Sequence, residues 1–481
     1  MRRLYRSAGP SVVVWDQPDQ NQATMSRLSG NGESMKTATR LFVLLLACIG
    51  SVPGFNVLTS PSFGAEPQFD VNDISYLWPV PTTKEDVSGL ISADEKIADG
   101  VSQIWPKKVF DTVIQTAQSV RVATSAGTQS GIDFGPLEKP LVQPNTWKIV
   151  AVRVDPSAPG CDAKLIALFG STPQIRLIVQ PVTVDDSGVV TVHDYTAHLV
   201  FGYINGVDPP AFPTGPPRSI PDKEKFGAIV SDLKSLKADL GAAGVSTTGK
   251  LGVHPGLKSN TPGFAEKVKA LLKKHLSEQR LAAVAFMGID PPEPWIFFAM
   301  SKRPDGTFVR APHPALGGKD AQMLIFRGGE HVMPLPSTKN VDLGRGVSTA
   351  VLFKDGIAAK LVVPVFDGLA RPLHQDIPDI IANPRLAHFF NTDCVSCHSE
   401  STRRKELNIL VGDGMFLYTP PEGISGVDAT VLPQDLWNVR NFGWFPRRGK
   451  ATAATVTMRT ANEAAESAAF VNREYLGHPA R

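Results

Sequence analysis

Residues 391–398 read Asn391-Thr392-Asp393-Cys394-Val395-Ser396-Cys397-His398, in a chain of 481 residues with four cysteines and ten histidines. Two thiols separated by two residues can each add to one vinyl group of the same haem, and the adjacent imidazole then reaches the iron from one face. A zinc site built on these residues would want a fourth ligand, commonly from a second Cys-x-x-Cys, and the sequence has none. A redox-active dithiol would open a helix after a strand in a βαβ unit, a pattern missing from this region. The motif therefore predicts one covalently bound haem c, attached through Cys394 and Cys397 with His398 as iron ligand.

Working outward, Met458 is followed by Thr460-Ala461-Asn462-Glu463, a capping-box pattern. Apolar residues then recur at Ala461, Ala464, Ala465, Ala468, Val471 and Tyr475, which predicts one face of a terminal helix. Upstream of the motif, Ile377–Phe390 carries a second helical pattern interrupted by Pro384. Between the motif and the terminal helix lies Leu436-Trp437-Asn438-Val439-Arg440-Asn441-Phe442-Gly443-Trp444-Phe445-Pro446. Its aromatics suit apolar walls for a haem, or ordinary core. Trp437 and Arg440 carry donors for a haem propionate.

With these features, residues 370–481 resemble class I c-type cytochromes. The resemblance implies a small all-α haem domain over 366–481, in which a helix leads into the motif and the terminal helix packs across it. It also implies a sixth iron ligand from a Met in a later loop. Met458, sixty residues past His398, stands where that family places it. Met415, flanked by Gly412 and Gly414, is the runner-up, and His388 and His374 are further candidates. Arg447, Arg448 and Lys450 form a basic cluster that reads either as a dock for an acidic redox partner or as a solvated loop.

Residues 66–365 read as an α+β region with many strands, divided near the proline-rich stretch 205–222 into two halves. Strands are expected at Trp147–Val154, Lys164–Phe169, Ile175–Val184, Val189–Ile204, Leu281–Met287, Trp295–Ser301, Met323–Arg327 and Ser348–Phe353, with a hairpin turn at Asp185–Gly188. Amphipathic helices are expected over Lys223–Leu240 and Pro262–Glu278. No P-loop, nucleophile elbow or His-Glu-x-x-His occurs. His193 and His198, five apart on one extended strand, would face opposite ways and so cannot share a metal. Cys161 reads as a buried structural thiol.

At the other end, Lys36 and Arg40 precede the apolar stretch Leu41–Gly50, a pattern that predicts an export signal within residues 1–47. Residues 1–34 are polar and read as an extended leader or an overlong start. Leu45-Leu46-Ala47-Cys48 resembles a bacterial lipobox, which would anchor the mature protein to a membrane through Cys48; the alternative is a later cut, after Ala65. The formal charge of +3 is carried entirely by residues 1–47, and the near-neutral remainder argues against a nucleic-acid partner. The combined expectation is a periplasmic or envelope protein that carries single electrons to or from a redox partner protein. The alternatives are an oxidoreductase whose N-terminal region binds substrate, and a haem sensor with an open sixth position.

Overall fold

Alternating apolar residues across 147–327 go into one antiparallel sheet. The computed structural model describes residues 68–120, 137–211, 216–259, 261–289, 295–314, 320–327, 330–332, 377–406, 416–435, 438–447 and 449–477. Its strands are β1 (Ser75–Leu77), β2 (Trp147–Ala158), β3 (Thr172–Val184), β4 (Val190–Val192), β5 (Tyr195–Gly202), β6 (Ile204–Asp208), β7 (Arg218–Pro221), β8 (Leu281–Ile289), β9 (Trp295–Lys302), β10 (Phe308–Arg310), β11 (Ala321–Arg327), β12 (Glu330–Val332), β13 (Phe442–Phe445) and β14 (Ala453–Val456). The helices are α1 (Val71–Ile74), α2 (Lys84–Ser88), α3 (Lys107–Ser119), α4 (Ala163–Phe169), α5 (Lys223–Ala242), α6 (Pro255–Lys258), α7 (Phe264–His275), α8 (Ile377–Ala382), α9 (Cys394–Glu406) and α10 (Met458–Glu474). The main sheet runs β1-β2-β3-β5-β8-β9-β11-β12, with β4 beside β3 and β10 beside β9. The fold is α+β, dominated by a large antiparallel sheet.

Strand alternation gives this sheet two unlike faces. One carries Leu177, Leu199, Phe286 and Phe298 into the main core, where Trp147 meets Trp105 and Phe110 edge-on at 5.3 and 6.3 Å. The opposite face receives the C-terminal segment. Because β5 and β8 pair directly, strands on both sides of the proline-rich stretch belong to one sheet.

Several elements depart from the sequence expectation. Lys164–Phe169 is helical rather than a strand: the Asp162 side chain accepts from Lys164 N at 2.8 Å, capping α4, and Gly170 ends it at φ 77°. The expected strand 189–204 breaks at His193-Asp194 into β4 and β5, with the His193 ring on Thr183 Oγ1 at 2.9 Å. The helix before the motif stops at Ala382, ahead of Pro384. The terminal helix starts earlier than expected. Thr457 is its N-cap, accepting from Thr460 N at 3.3 Å, and Glu463 pairs with Arg153 and Arg459 instead of closing a capping box.

The C-terminal segment is not wholly helical, since β13 and β14 form a hairpin within it. It also shares its core with the rest of the chain. Ala461, Ala464, Ala465, Ala468 and Val471 of α10 are fully buried in the same cluster as Phe69, Val71 and the sheet. Asn472 accepts from Phe69 N at 2.7 Å and donates to Phe69 O at 2.9 Å. Gln180 of β3 pairs both ways with the backbone of Trp444, at 2.7 and 2.9 Å, and Trp444 Nε1 donates to Trp78 O at 2.9 Å. Each such buried bond contributes about 1 kcal/mol and would cost more if left half-made.

Candidate haem-attachment site

The motif opens α9, and the reason is local. Asp393 precedes the first helical residue, and its carboxylate accepts from Ser396 N at 3.3 Å, as an N-cap does. The cap is supported from the sheet: Gln322 of β11 donates to the Asp393 carboxylate and accepts from Val395 N at 3.0 Å. Fully buried, Asp393 is pushed up to about 6 by loss of solvation. Cap and clamp together place Cys394, Cys397 and His398 on the first turns of α9, against the sheet.

Among the described residues, His398 is held at one nitrogen only. Its Nδ1 lies 2.8 Å from the Val439 carbonyl, which can only accept, so Nδ1 carries the proton and Nε2 keeps its lone pair. A carbonyl on the far nitrogen is the usual way a metal-binding imidazole is oriented. The ring leans on Phe297 at 5.0 Å, and burial depresses its pKa to about 4, so it stays neutral at ordinary pH. Burial raises both thiols, Cys397 to about 11, and Asn441 Nδ2 reaches Cys397 Sγ at 3.7 Å. All three motif side chains are half-buried, while Val395, Ser396, Ser399 and Glu400 between and after them are buried.

The apolar wall beside the motif comes mainly from the sheet. Met287, Trp295, Phe297, Leu324, Val395, Val439 and Phe445 form one buried cluster, with Cys394 packed against it. Of the aromatic run, Phe445 joins this wall, whereas Phe442 and Trp444, on the other side of β13, enter the main core. Trp295 and Phe297 were not foreseen as site residues. Their spacing of two on a strand was the available signal for a shared face.

The remaining candidates are scattered. Arg440 is fully buried and committed: its guanidinium pairs with Asp194 at 2.5 Å, contacts Thr196 Oγ1 and stacks 5.4 Å over Trp295. Only its Nε lacks a partner. Met458 is the first residue of α10 and donates its N–H to Ser401 Oγ at 3.1 Å. It lines a cavity of about 170 Å³ with Asp379, Arg404, Tyr418 and Asn462, and none of the three motif residues lines that space. His388 is buried beside Phe169 at 5.3 Å, with Nδ1 accepting from Phe390 N at 3.2 Å. Trp437, Met415, His374, Arg448 and Cys48 lie outside the described residues. Asp435 pairs with Arg447 at 2.7 Å and lies 3.9 Å from Lys450, so the basic cluster is partly neutralised.

Next to the motif is a buried ionic cluster. Arg153 pairs with Asp155 at 2.9 Å and with Glu463, and Arg459 pairs with Glu463 at 2.6 Å. These cations hold the Glu463 carboxyl far below its usual range despite burial. On the other flank of α9, Arg404 joins Asp379 at 2.5 Å and Glu400 at 3.2 Å.

Among the described residues no helix is long and apolar enough to cross a membrane. Comparison with protein-family models, with curated proteins and with solved structures found no match.

Proposed function

We propose that the chain is a monohaem c-type cytochrome of the cell envelope, with one haem attached through Cys394 and Cys397, that carries single electrons. The observation that supports this most is the state of His398. Nδ1–H donates to the Val439 carbonyl, which leaves the Nε2 lone pair for a ligand, one residue from the second of two properly spaced thiols. In this reading the Sγ atoms of Cys394 and Cys397 anchor the group, His398 Nε2 ligates it, and Trp295, Phe297 and Phe445 exclude water beside it. The group, when bound, supplies one-electron redox chemistry.

The likeness to class I cytochromes is supported by an alanine-lined terminal helix, while the expected helix leading into the motif is replaced by α9, which begins at the motif itself. The scaffold beneath it is a broad antiparallel sheet in place of a helical bundle. Export and a protein redox partner belong to the same proposal, supported by the leader pattern and by attachment of c-type haem outside the cytoplasm.

The test is maturation of the full chain in a host with haem-ligation machinery, followed by mass and absorption measurements. Mass should rise by one haem, and the colour should survive denaturation. Cys394→Ala and Cys397→Ala should each retain one thioether, and the double variant none. A colourless product with both thiols free to alkylate would falsify the proposal.

A further inference from the structure

The face of the sheet turned toward α9 is not uniformly packed. Near Val395 it is closed by Met287, Phe297 and Leu324. Further along, β5, β8 and β9 align His198 with Ala285 and Ala299, and the next row aligns Val200, Ala283 and Ser301. All six of these residues are half-buried, while Ala197, Leu199, Val284 and Met300, pointing the other way, are buried. Cys394, Cys397 and His398 on α9 show the same partial exposure. Residues on both elements thus keep accessible surface, and on the sheet His198 stands in a row with two alanines.

That imidazole is placed and unclaimed. Thr196, two residues back on the same face of β5, contacts Arg440, whose neighbour Val439 holds His398. Across the sheet, His198 lies two strands from Ala299, itself two residues from the Phe297 that supports the His398 ring. Strand spacings put the His198 and Phe297 Cα atoms roughly 12 Å apart. Among the described residues nothing hydrogen-bonds the His198 ring.

A second feature lies on the same face. Arg176 of β3 is aligned with Val200 and sits within the field of Arg153, Glu463, Asp155 and Cys397. Asp155 is already paired with Arg153, and Glu463 with both Arg153 and Arg459. Arg176 has no ion pair among the described residues, and its Nε is unpartnered. Arg176 is half-buried, and a guanidinium so placed without its own carboxylate suits an anion that arrives with the ligand. Haem brings two carboxylates.

We infer that His198, from the centre of the sheet, supplies the second axial nitrogen to the iron, so that the haem is held between α9 and the sheet by His398 and His198. This rests on the reading of residues 394–398 as a haem-attachment motif. Met458, in a separate cavity with Arg404 and Asp379, then has a packing role.

The test uses the full matured chain, with mass confirming one covalent haem in every variant. Ferric wild type should be low-spin without the weak red band of methionine-ligated iron, and Met458→Ala should leave its spectrum unchanged. His198→Ala should become high-spin and, once reduced, bind carbon monoxide; added imidazole should restore the low-spin form. His198→Met guards against misfolding of the alanine variant and should introduce the methionine band. The inference fails if wild type shows that band, or if His198→Ala stays low-spin without imidazole. A wild type lacking covalent haem overturns the attachment reading itself, an outcome the mass reports separately.

Discussion

Gln322 on β11 clamps Asp393, the cap of the motif helix, with one carboxamide: its oxygen accepts from Val395 N at 3.0 Å while its nitrogen donates to the Asp393 carboxylate. Strand and helix are far apart in sequence, so the Cys-x-x-Cys-His motif is aimed by a residue that local pattern does not associate with it. Replacing Gln322 by Leu would leave a buried N–H and a buried carboxyl without these partners. The variant should lose about 2–3 kcal/mol in denaturant unfolding, more than the ~1 kcal/mol of an ordinary lost cap. A loss below about 0.5 kcal/mol would mean that the clamp carries no weight.

Gly443 sits at φ 143°, where a Cβ would lie 2.6 Å from Gln180 Oε1. That oxygen is bonded to Trp444 N, so it cannot retreat without breaking the join between β13 and the sheet. Gly443→Ala should cost about 2–4 kcal/mol. Calorimetry that found the two melting temperatures within a degree would contradict this account of the join.

Glu463 carries two buried guanidiniums, Arg153 and Arg459. Glu463→Ala leaves Arg459 without its carboxylate and Arg153 with Asp155 alone, and should destabilise the fold by about 3–5 kcal/mol. The double variant Arg153→Met, Glu463→Ala should recover part of that loss, which a double-mutant cycle would read as coupling of about 1 kcal/mol or more. Additive losses would show that the pair is not coupled.

His254 is fully buried, stacked on Tyr76 at 4.6 Å and Phe264 at 5.1 Å, and is depressed from 6.5 to about 3 by burial. The folded ring refuses a proton that the unfolded chain accepts. Stability is therefore full above pH 6.5 and declines as pH falls toward 3, by up to about 1.4 kcal/mol per unit. Unfolding free energies at pH 7 and pH 5 should differ less for His254→Phe than for wild type. An identical pH slope in the two proteins would remove His254 from the explanation.

Much of the scaffold was legible because it rests on short-range rules. β3, β8 and β9 follow from alternation of apolar side chains, α5 and α7 from helical spacing, and the turn at Asp185–Gly188 from its composition, with Gly188 at φ 86°. α4 was misread because a seven-residue apolar run has no distinguishing period; its end signals, Asp162 and Gly170, decide it. The expectation of one continuous strand over 189–204 fails at His193 for a similar reason, since the division between β4 and β5 carries no local signal of period.

The haem-attachment reading of the pentapeptide 394–398 comes from the sequence alone, because it turns on two thiols and an imidazole within covalent reach of one another. Which surfaces enclose it is a different kind of fact. Trp295, Phe297, Gln322, Arg176 and His198 stand between 70 and about 220 residues from the motif, and only strand pairing in one sheet sets them opposite α9. Spacing along the chain governs what can form within one or two helical turns. Contacts that close loops of a hundred residues or more are chosen by the burial they jointly achieve, and that choice exists only once the sheet has formed.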